Sequence, residues 1–135
     1  MKLIWPIERS QFWLSSLFGY RKKPDGRTGF HYGIDLAALK GTPVYAAGSG
    51  TVVQASYIKG YGNTVLITHN STYQTRYAHL DQIVVKQGAR VVQGQLIGKV
   101  GHTGSVRKTG KYADHLHLEV YRYGKQVNPI YFFIS

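Results

Sequence analysis

The chain has 135 residues and no cysteine, which excludes disulfide bonds, thiolate metal sites and cysteine nucleophiles. Its length suits one domain with its own core, and no change of composition marks a second, so we expect a single domain over residues 1–135. Seventeen Lys and Arg against six Asp and Glu give a formal charge of +11, which favours polyanionic partners.

The basic residues are spread over the predicted turns, and no nucleic-acid-binding motif accompanies them. The charge suits an anionic cell wall, nucleic acid or anionic lipid, and equally a solvated surface that only keeps the protein soluble. No apolar run approaches the ~20 residues of a membrane span, and residues 1–4 are too short for a signal peptide. We therefore expect no membrane span, and either an export signal lies outside this chain or export is unnecessary.

Short apolar runs between glycine-containing turns predict an all-β, strand-rich fold, and no segment predicts a helix. Extended pieces are predicted at residues 4–7 and 14–21, before a polar loop at 22–29. Four strand candidates follow between turns, at residues 43–47, 50–55, 63–69 and 74–79, with Asn70-Ser71-Thr72 as a hairpin turn. The meander continues at residues 83–88, 90–93 and 94–100, and a long loop at 101–114 is expected to line a binding site.

Residues 114–121 alternate polar and apolar side chains, which is the pattern of a strand buried on one face. The polar face of this strand carries His115, His117, Glu119 and Tyr121. Two positions along a strand span roughly 6.6 Å, so one histidine ring can bind a metal ion while the other lies near whatever the metal binds.

The pair His31 and Asp35 needs a bent backbone to share a cation. On a straight strand these side chains would lie roughly 13 Å apart, whereas ligand atoms around zinc lie only about 3–4 Å from one another. Gly33 between them permits the bend, and it also argues against a helix.

A single histidine is usually a core or surface residue, but five residues here form a pattern. Together they supply three neutral or carboxylate ligands for zinc and two further imidazoles. They are His31 with Asp35, the isolated His79, and the pair His115 and His117. A catalytic zinc keeps three protein ligands and an open position for water. The alternative is a basic wall-binding or nucleic-acid-binding module whose histidines are incidental.

Several short motifs occur together within residues 5–132. The two main ones are His31-Tyr32-Gly33-Ile34-Asp35, of the form His-x(3)-Asp, and His115-Leu116-His117, of the form His-x-His. Supporting motifs are Phe18-Gly19-Tyr20-Arg21, Gly41-Thr42-Pro43-Val44, Gly62-Asn63, Tyr77-Ala78-His79-Leu80, Gly98-x-x-Gly101-x-Thr103-Gly104 and Val127-Asn128-Pro129. With these motifs the sequence resembles the M23 family of zinc metallopeptidases, the lysostaphin-like and LytM-like peptidoglycan endopeptidases.

The resemblance implies one zinc ion per chain, held by His31, Asp35 and His117, with His79 and His115 as the catalytic pair. It also implies the antiparallel β-sheet sandwich of the lysostaphin-type catalytic domain, with a groove over the zinc. The implied activity is hydrolysis of peptide cross-links or stem peptides of bacterial peptidoglycan by metal-activated water. Which of the two histidines is the general base stays open.

We further expect an extracytoplasmic monomer that acts on peptidoglycan, with anionic wall polymers as further partners and no nucleic acid. A rival within the family is a non-catalytic regulator, but such members lose metal ligands and this chain keeps all three. Glu119 has two interpretations: it orients a ligand histidine, or it is a surface residue near the end of its strand.

Overall fold

The computed structural model describes residues 1–22, 25–104, 106 and 114–133. The strands are Trp13–Ser16 (β1), Gly19–Lys22 (β2), Thr28–His31 (β3), Ile34–Ala37 (β4), Pro43–Tyr45 (β5), Gly50–Ile58 (β6), Gly62–Thr68 (β7), Tyr73–Ile83 (β8), Arg90–Val91 (β9), Leu96–Val100 (β10), His115–Arg122 (β11) and Lys125–Val127 (β12). The helical segments in these ranges are 3-10 turns at Arg9–Gln11 and Pro129–Phe132. The predicted all-β fold is therefore confirmed. Across the described ranges, no helix has the length and apolar character needed to cross a membrane.

Ten of the described strands form one sheet with antiparallel pairing. Its main path runs β1-β4-β11-β8-β7-β6-β9, while β10 joins β5 to β8 and β12 pairs with β11. β2 and β3 form a separate hairpin. Because β11 lies between β4 and β8, His117 is the register partner of both Asp35 and Ala78. The sheet order thus brings together segments that are far apart in the sequence.

The apolar face of β11 is part of the core, as its alternation predicts. Leu116, Leu118 and Val120 have no exposed surface, and each such side chain contributes roughly 1.5–3 kcal/mol through burial. The other face is not solvated, however, since His117 and Glu119 are buried as well. The prediction of a strand buried on one face alone was wrong for this strand because the Tyr61 and Arg76 side chains cover its polar face at Glu119.

Three predicted extended segments differ from the structure. Residues 4–7 are not a strand. In the predicted extended segment 83–88, β8 ends at Ile83 and the chain then turns; Ala89 donates a backbone hydrogen bond to Lys86 across a turn that includes Gly88, which has a φ of 92°. The strand predicted at residues 90–93 is shortened to the two residues of β9. Most of the loop predicted at residues 101–114 lies outside the described residues, as do Lys23 and Pro24 of the predicted loop 22–29.

Candidate metal centre and its surroundings

His31, Asp35 and His117 converge at one point, although they come from β3, β4 and β11. Each offers one ligand atom, and these atoms all lie within 4.8 Å of one another. Asp35 Oδ1 lies 3.4 Å from His31 Nε2 and 2.9 Å from His117 Nδ1. A carboxylate oxygen thus lies between two imidazole nitrogens, in a buried setting.

The chain bends between His31 and Asp35, as their spacing predicts, because β3 ends at His31 and β4 begins at Ile34. The reason for Gly33 is close packing rather than a left-handed backbone. A Cβ atom on Gly33 would lie 2.3 Å from the Leu118 carbonyl oxygen and 2.9 Å from Cε1 of His117. Gly33 therefore lets the turn pack directly against the strand that carries His117.

The second nitrogen of His31 is held by the backbone. His31 Nδ1 lies 2.9 Å from the Leu17 carbonyl oxygen, which can only accept, so Nδ1 carries a hydrogen and donates it. In the neutral ring, Nε2 is then a lone-pair atom that faces the Asp35 carboxylate. The Nε2 lone pair and the carboxylate oxygen favour a cation between them, which is the arrangement that a metal site requires.

The charges around His117 are strongly coupled. Burial lowers the pKa of His117, but hydrogen bonds to Asp35 and Glu119 outweigh burial and raise this pKa to about 9. Burial likewise raises the pKa of Asp35, yet hydrogen bonds from His117 and His31 hold it far below its usual range. The protonated His117 ring supplies the positive charge between two carboxylates, and a cation that binds Nδ1 would replace that proton.

His79 and His115 lie beside this group. The His79 ring centroid lies 5.1 Å from that of His115 and 5.8 Å from that of His117. Nδ1 of His79 donates to the Thr103 carbonyl oxygen at 2.8 Å, so Nε2 is left as an acceptor. Burial lowers the pKa of His79 to about 4, which keeps its ring neutral near pH 7.

A pocket of about 220 Å³ opens at this point. It is lined by Lys59, Gly60, Tyr61, His79 and His117. The pocket therefore exposes to one cavity both the acceptor imidazole of His79 and one member of the His–Asp–His group, His117.

The backbone at His79 has a φ of 63°, which is uncommon outside glycine and places strain at a candidate site. The pairing of β7 with β8 is also irregular here, with a register shift between Asn63 and Val65. The backbone N–H of His79 donates to the Tyr61 carbonyl oxygen at 2.8 Å. The sequence predicts a strand that ends at His79, whereas β8 continues to Ile83.

Sequence reasoning missed two residues that hold this site, Tyr61 and Thr103. The signal was present in the glycines beside them. A Cβ atom on Gly62 would lie 2.4 Å from the Thr103 carbonyl carbon, and one on Gly104 would lie 2.5 Å from the Gly62 nitrogen. These glycines allow the β6–β7 turn to pack against the Thr103 segment, whose carbonyl oxygen orients His79.

The remaining histidines have other partners. His69 Nδ1 lies 2.7 Å from the Ser49 carbonyl oxygen, and its Nε2 lies 2.9 Å from Thr75 Oγ1. His102 Nδ1 lies 2.5 Å from Asp114 Oδ1. Neither belongs to the His31, Asp35 and His117 group.

The fold and the buried site define an all-β domain that carries a candidate His–Asp–His metal centre. Residues 29–129 match the sequence model of peptidase family M23. This match covers more than half of the chain, and the chain belongs to that family. The resemblance seen in the sequence motifs is therefore confirmed.

Named relatives and solved structures agree with this membership. The chain is 47% identical over 104 residues to peptidoglycan DD-endopeptidase ShyC of Vibrio cholerae, covering 77% of this chain and 23% of ShyC. A zinc-containing peptidase from Vibrio cholerae superposes with a TM-score of 0.84 at 40% identity, over 95% of this chain and 39% of that chain. The lysostaphin catalytic domain from Staphylococcus simulans gives a TM-score of 0.77 at 32% identity, over 90% of this chain and 91% of that domain. This chain spans about a quarter of the length of the curated relatives it matches first.

Proposed function

We propose that this chain is a zinc-dependent endopeptidase that hydrolyses peptide cross-links or stem peptides of bacterial peptidoglycan. The observation that carries the proposal is the convergence of His31, Asp35 and His117 beside an acceptor imidazole on His79. Membership of family M23 and the similarity to ShyC, named a peptidoglycan DD-endopeptidase, support the substrate class.

The donor set fits zinc. Two imidazole nitrogens and one carboxylate oxygen are the three protein ligands typical of a catalytic zinc site, whereas calcium and magnesium prefer oxygen ligands alone. His31 would bind through Nε2, because its Nδ1 donates to Leu17. His117 would bind through Nδ1, the nitrogen that faces Asp35. We propose one zinc ion per chain.

A zinc ion in this position supplies Lewis acidity, which activates water and polarises a peptide carbonyl group. The chain's own contribution comes from His79 and His115, which we propose as the catalytic pair. His79 lines the pocket, and its Nε2 remains an acceptor because Thr103 holds its Nδ1 hydrogen. One ring of the pair accepts a proton from water, and the other donates to the developing oxyanion or to the leaving amine.

The pocket beside His79 is open, which suits a peptide that enters from solvent. The formal charge of +11 on the whole chain favours binding to an anionic wall polymer. Since peptidoglycan lies outside the cytoplasm, we propose an extracytoplasmic location. We also propose that residues 1–135 form one catalytic domain that acts as a monomer.

The test is digestion of purified muropeptide dimers from several wall types, read by mass spectrometry, beside metal analysis of the protein. The proposal expects about one zinc ion per chain and cleavage into monomers with the gain of one water molecule. Cleavage should be lost in Asp35→Ala. A chain that binds wall polymer but contains no zinc and cleaves none of the dimers would instead be a binding module, and the proposal would be wrong.

A further inference from the structure

Glu119 lies directly behind the His–Asp–His group and is 2% exposed. It follows His117 by two positions on β11, so both side chains leave the same face of the strand. Glu119 Oε2 lies 2.9 Å from His117 Nε2. Because a carboxylate oxygen accepts, Nε2 of His117 carries a hydrogen and donates it. Of the two interpretations open for Glu119, the surface position is excluded.

The Glu119 carboxylate is held by further donors from three strands or turns. The Tyr61 hydroxyl donates to it at 2.9 Å and 3.1 Å, and the Tyr121 hydroxyl donates to Oε1. The Arg76 guanidinium lies 3.8 Å from Oε1 and donates to the Tyr121 hydroxyl at 3.1 Å. A buried carboxylate is costly unless it is paired and hydrogen-bonded, and Glu119 meets both conditions.

Arg76 is itself fixed. Its Nη1 donates to Gln54 Oε1 at 2.9 Å, and its guanidinium carbon lies 4.5 Å from the ring centroid of Tyr61. The group of Glu119, Tyr61, Tyr121 and Arg76, which we call the Glu119 network, therefore has little freedom to move. Tyr61 is the member that also lines the pocket.

The Glu119 network determines which nitrogen of His117 faces Asp35. With Nε2–H donated to Glu119, the ring presents Nδ1 to Asp35 at 2.9 Å. A ring turned by 180° about its Cβ–Cγ bond would place Cδ2 toward Asp35 and Cε1 toward Glu119, so neither carboxylate would face a nitrogen atom. The network thus specifies both the rotation of the ring and the nitrogen that faces His31 and Asp35.

We propose that Glu119, held by Tyr61, Tyr121 and Arg76, is a positioning residue that sets the metal-binding nitrogen of His117. This inference rests on the proposed function, since it takes His117 as a zinc ligand. Partners of this kind behind a metal ligand typically change metal affinity by 10–100-fold when they are replaced. A role confined to fold stability would leave zinc affinity unchanged in protein that is still folded.

The experiment measures zinc affinity of the folded protein by competition with a chromophoric chelator. The variants are Glu119→Gln, which keeps the shape and removes the charge, and Tyr61→Phe and Tyr121→Phe, which each remove one donor. The matched control is Tyr77→Phe, because Tyr77 is a buried tyrosine of β8 whose hydroxyl bonds to Ala47 and Thr75, outside the network. We expect about 10–100-fold weaker zinc binding in Glu119→Gln, a smaller loss in the two Phe variants, and less than about twofold in the control.

A second readout is the long-range ¹H–¹⁵N spectrum of the zinc-loaded protein, in which the hydrogen of His117 should be on Nε2. Unchanged zinc affinity in Glu119→Gln and in both Phe variants would overturn the positioning role, as would a hydrogen on Nδ1. Absence of zinc from the unsubstituted chain would contradict the proposed function itself. Normal zinc binding by the unsubstituted chain with unchanged affinity in the variants would contradict only the positioning role. If Glu119→Gln does not fold, the Phe variants and the spectrum still decide the question.

Discussion

The half-buried His69, which follows β7, and the buried His117 of β11 differ in their partners. At His69, both ring nitrogens meet neutral groups, the Ser49 carbonyl oxygen and the Thr75 hydroxyl, and Thr75 is in turn bonded to the Tyr77 hydroxyl. At His117, both ring nitrogens meet carboxylates, each at 2.9 Å. Burial lowers the pKa of His69, whereas the two carboxylates raise that of His117 to about 9.

The contrast shows that the partners of a histidine ring, and not burial alone, set the direction of its pKa shift. His117 differs from His69 in its acidic surroundings, and acidic residues are scarce in this chain. The chain has six Asp and Glu residues, and two of them, Asp35 and Glu119, flank His117. In a protein of charge +11, two carboxylates on one ring concentrate negative charge where the proposed cation would bind.

The largest expected effect comes from removing one carboxylate. Asp35→Ala should reduce zinc content from about one ion per chain to near zero and abolish hydrolysis, because it removes one of three ligands. His69→Gln is the matched control, and it should keep both zinc and activity. Elemental analysis and a muropeptide assay of both variants make the measurement. Full zinc occupancy in Asp35→Ala would contradict the role given to the carboxylates around His117.

The next effect separates catalyst from ligand within the site. His79→Ala and His115→Ala should each keep zinc but lower kcat by roughly 10²–10⁴-fold, the usual contribution of proton transfer or oxyanion stabilisation. The double variant should lose less than the product of the single losses, since both groups act on one transition state.

The control for this pair is His117→Ala, which should lose zinc. The roles of His115 and His117 would be reversed if His115→Ala lost its zinc and His117→Ala retained it. Metal content and turnover of the same preparations decide between the two assignments.

The dependence of kcat/KM on ionic strength measures how much the positive charge of the whole chain contributes to hydrolysis. Raising ionic strength from about 0.1 M to 1 M shortens the screening length from roughly 10 Å to 3 Å. We expect kcat/KM on intact peptidoglycan to fall about tenfold or more, and that on a short neutral peptide to change little. An equal response of both substrates would show that the basic surface acts only on solubility.

The smallest effect concerns His69. Because burial lowers its pKa below 6.5, the folded protein binds fewer protons there than the unfolded chain as the pH falls below that value. The free energy of unfolding should therefore fall with decreasing pH, by at most about 1.4 kcal/mol per pH unit and by less because the ring is partly exposed.

Urea unfolding of the metal-free protein at pH 7.5 and pH 5 measures this contribution. His69→Gln should show a smaller loss of stability between the two pH values than the unsubstituted chain. Equal losses in both proteins would mean that His69 does not differ from an exposed histidine.

Much of this account could be predicted from the sequence, since short apolar runs between glycine-containing turns indicated the strand-rich fold, and the resemblance to family M23 implied the His31, Asp35 and His117 group. The need for a bend at Gly33 followed from strand geometry alone. What the sequence could not give were contacts between distant segments. The packing of Gly62 on Thr103 and the bond from Tyr61 to Glu119 depend on how the β6–β7 turn meets β11, which no local pattern records.

The burial of β11 was missed for a similar physical reason. Alternation of His115, Leu116 and His117 correctly separates two faces, but it does not show what covers the polar one. In the structure, β11 lies in the middle of the sheet and its polar face is covered by the Tyr61 and Arg76 side chains, so Glu119 is buried against the pattern.

The most direct test of the central claim is the position of zinc in crystals of the zinc-loaded protein, located by anomalous scattering at the zinc edge. The account predicts one peak per chain, about 2.0–2.2 Å from His31 Nε2, an Asp35 carboxylate oxygen and His117 Nδ1. A peak bound instead by His79 and His115, or by His102 and Asp114, would contradict it.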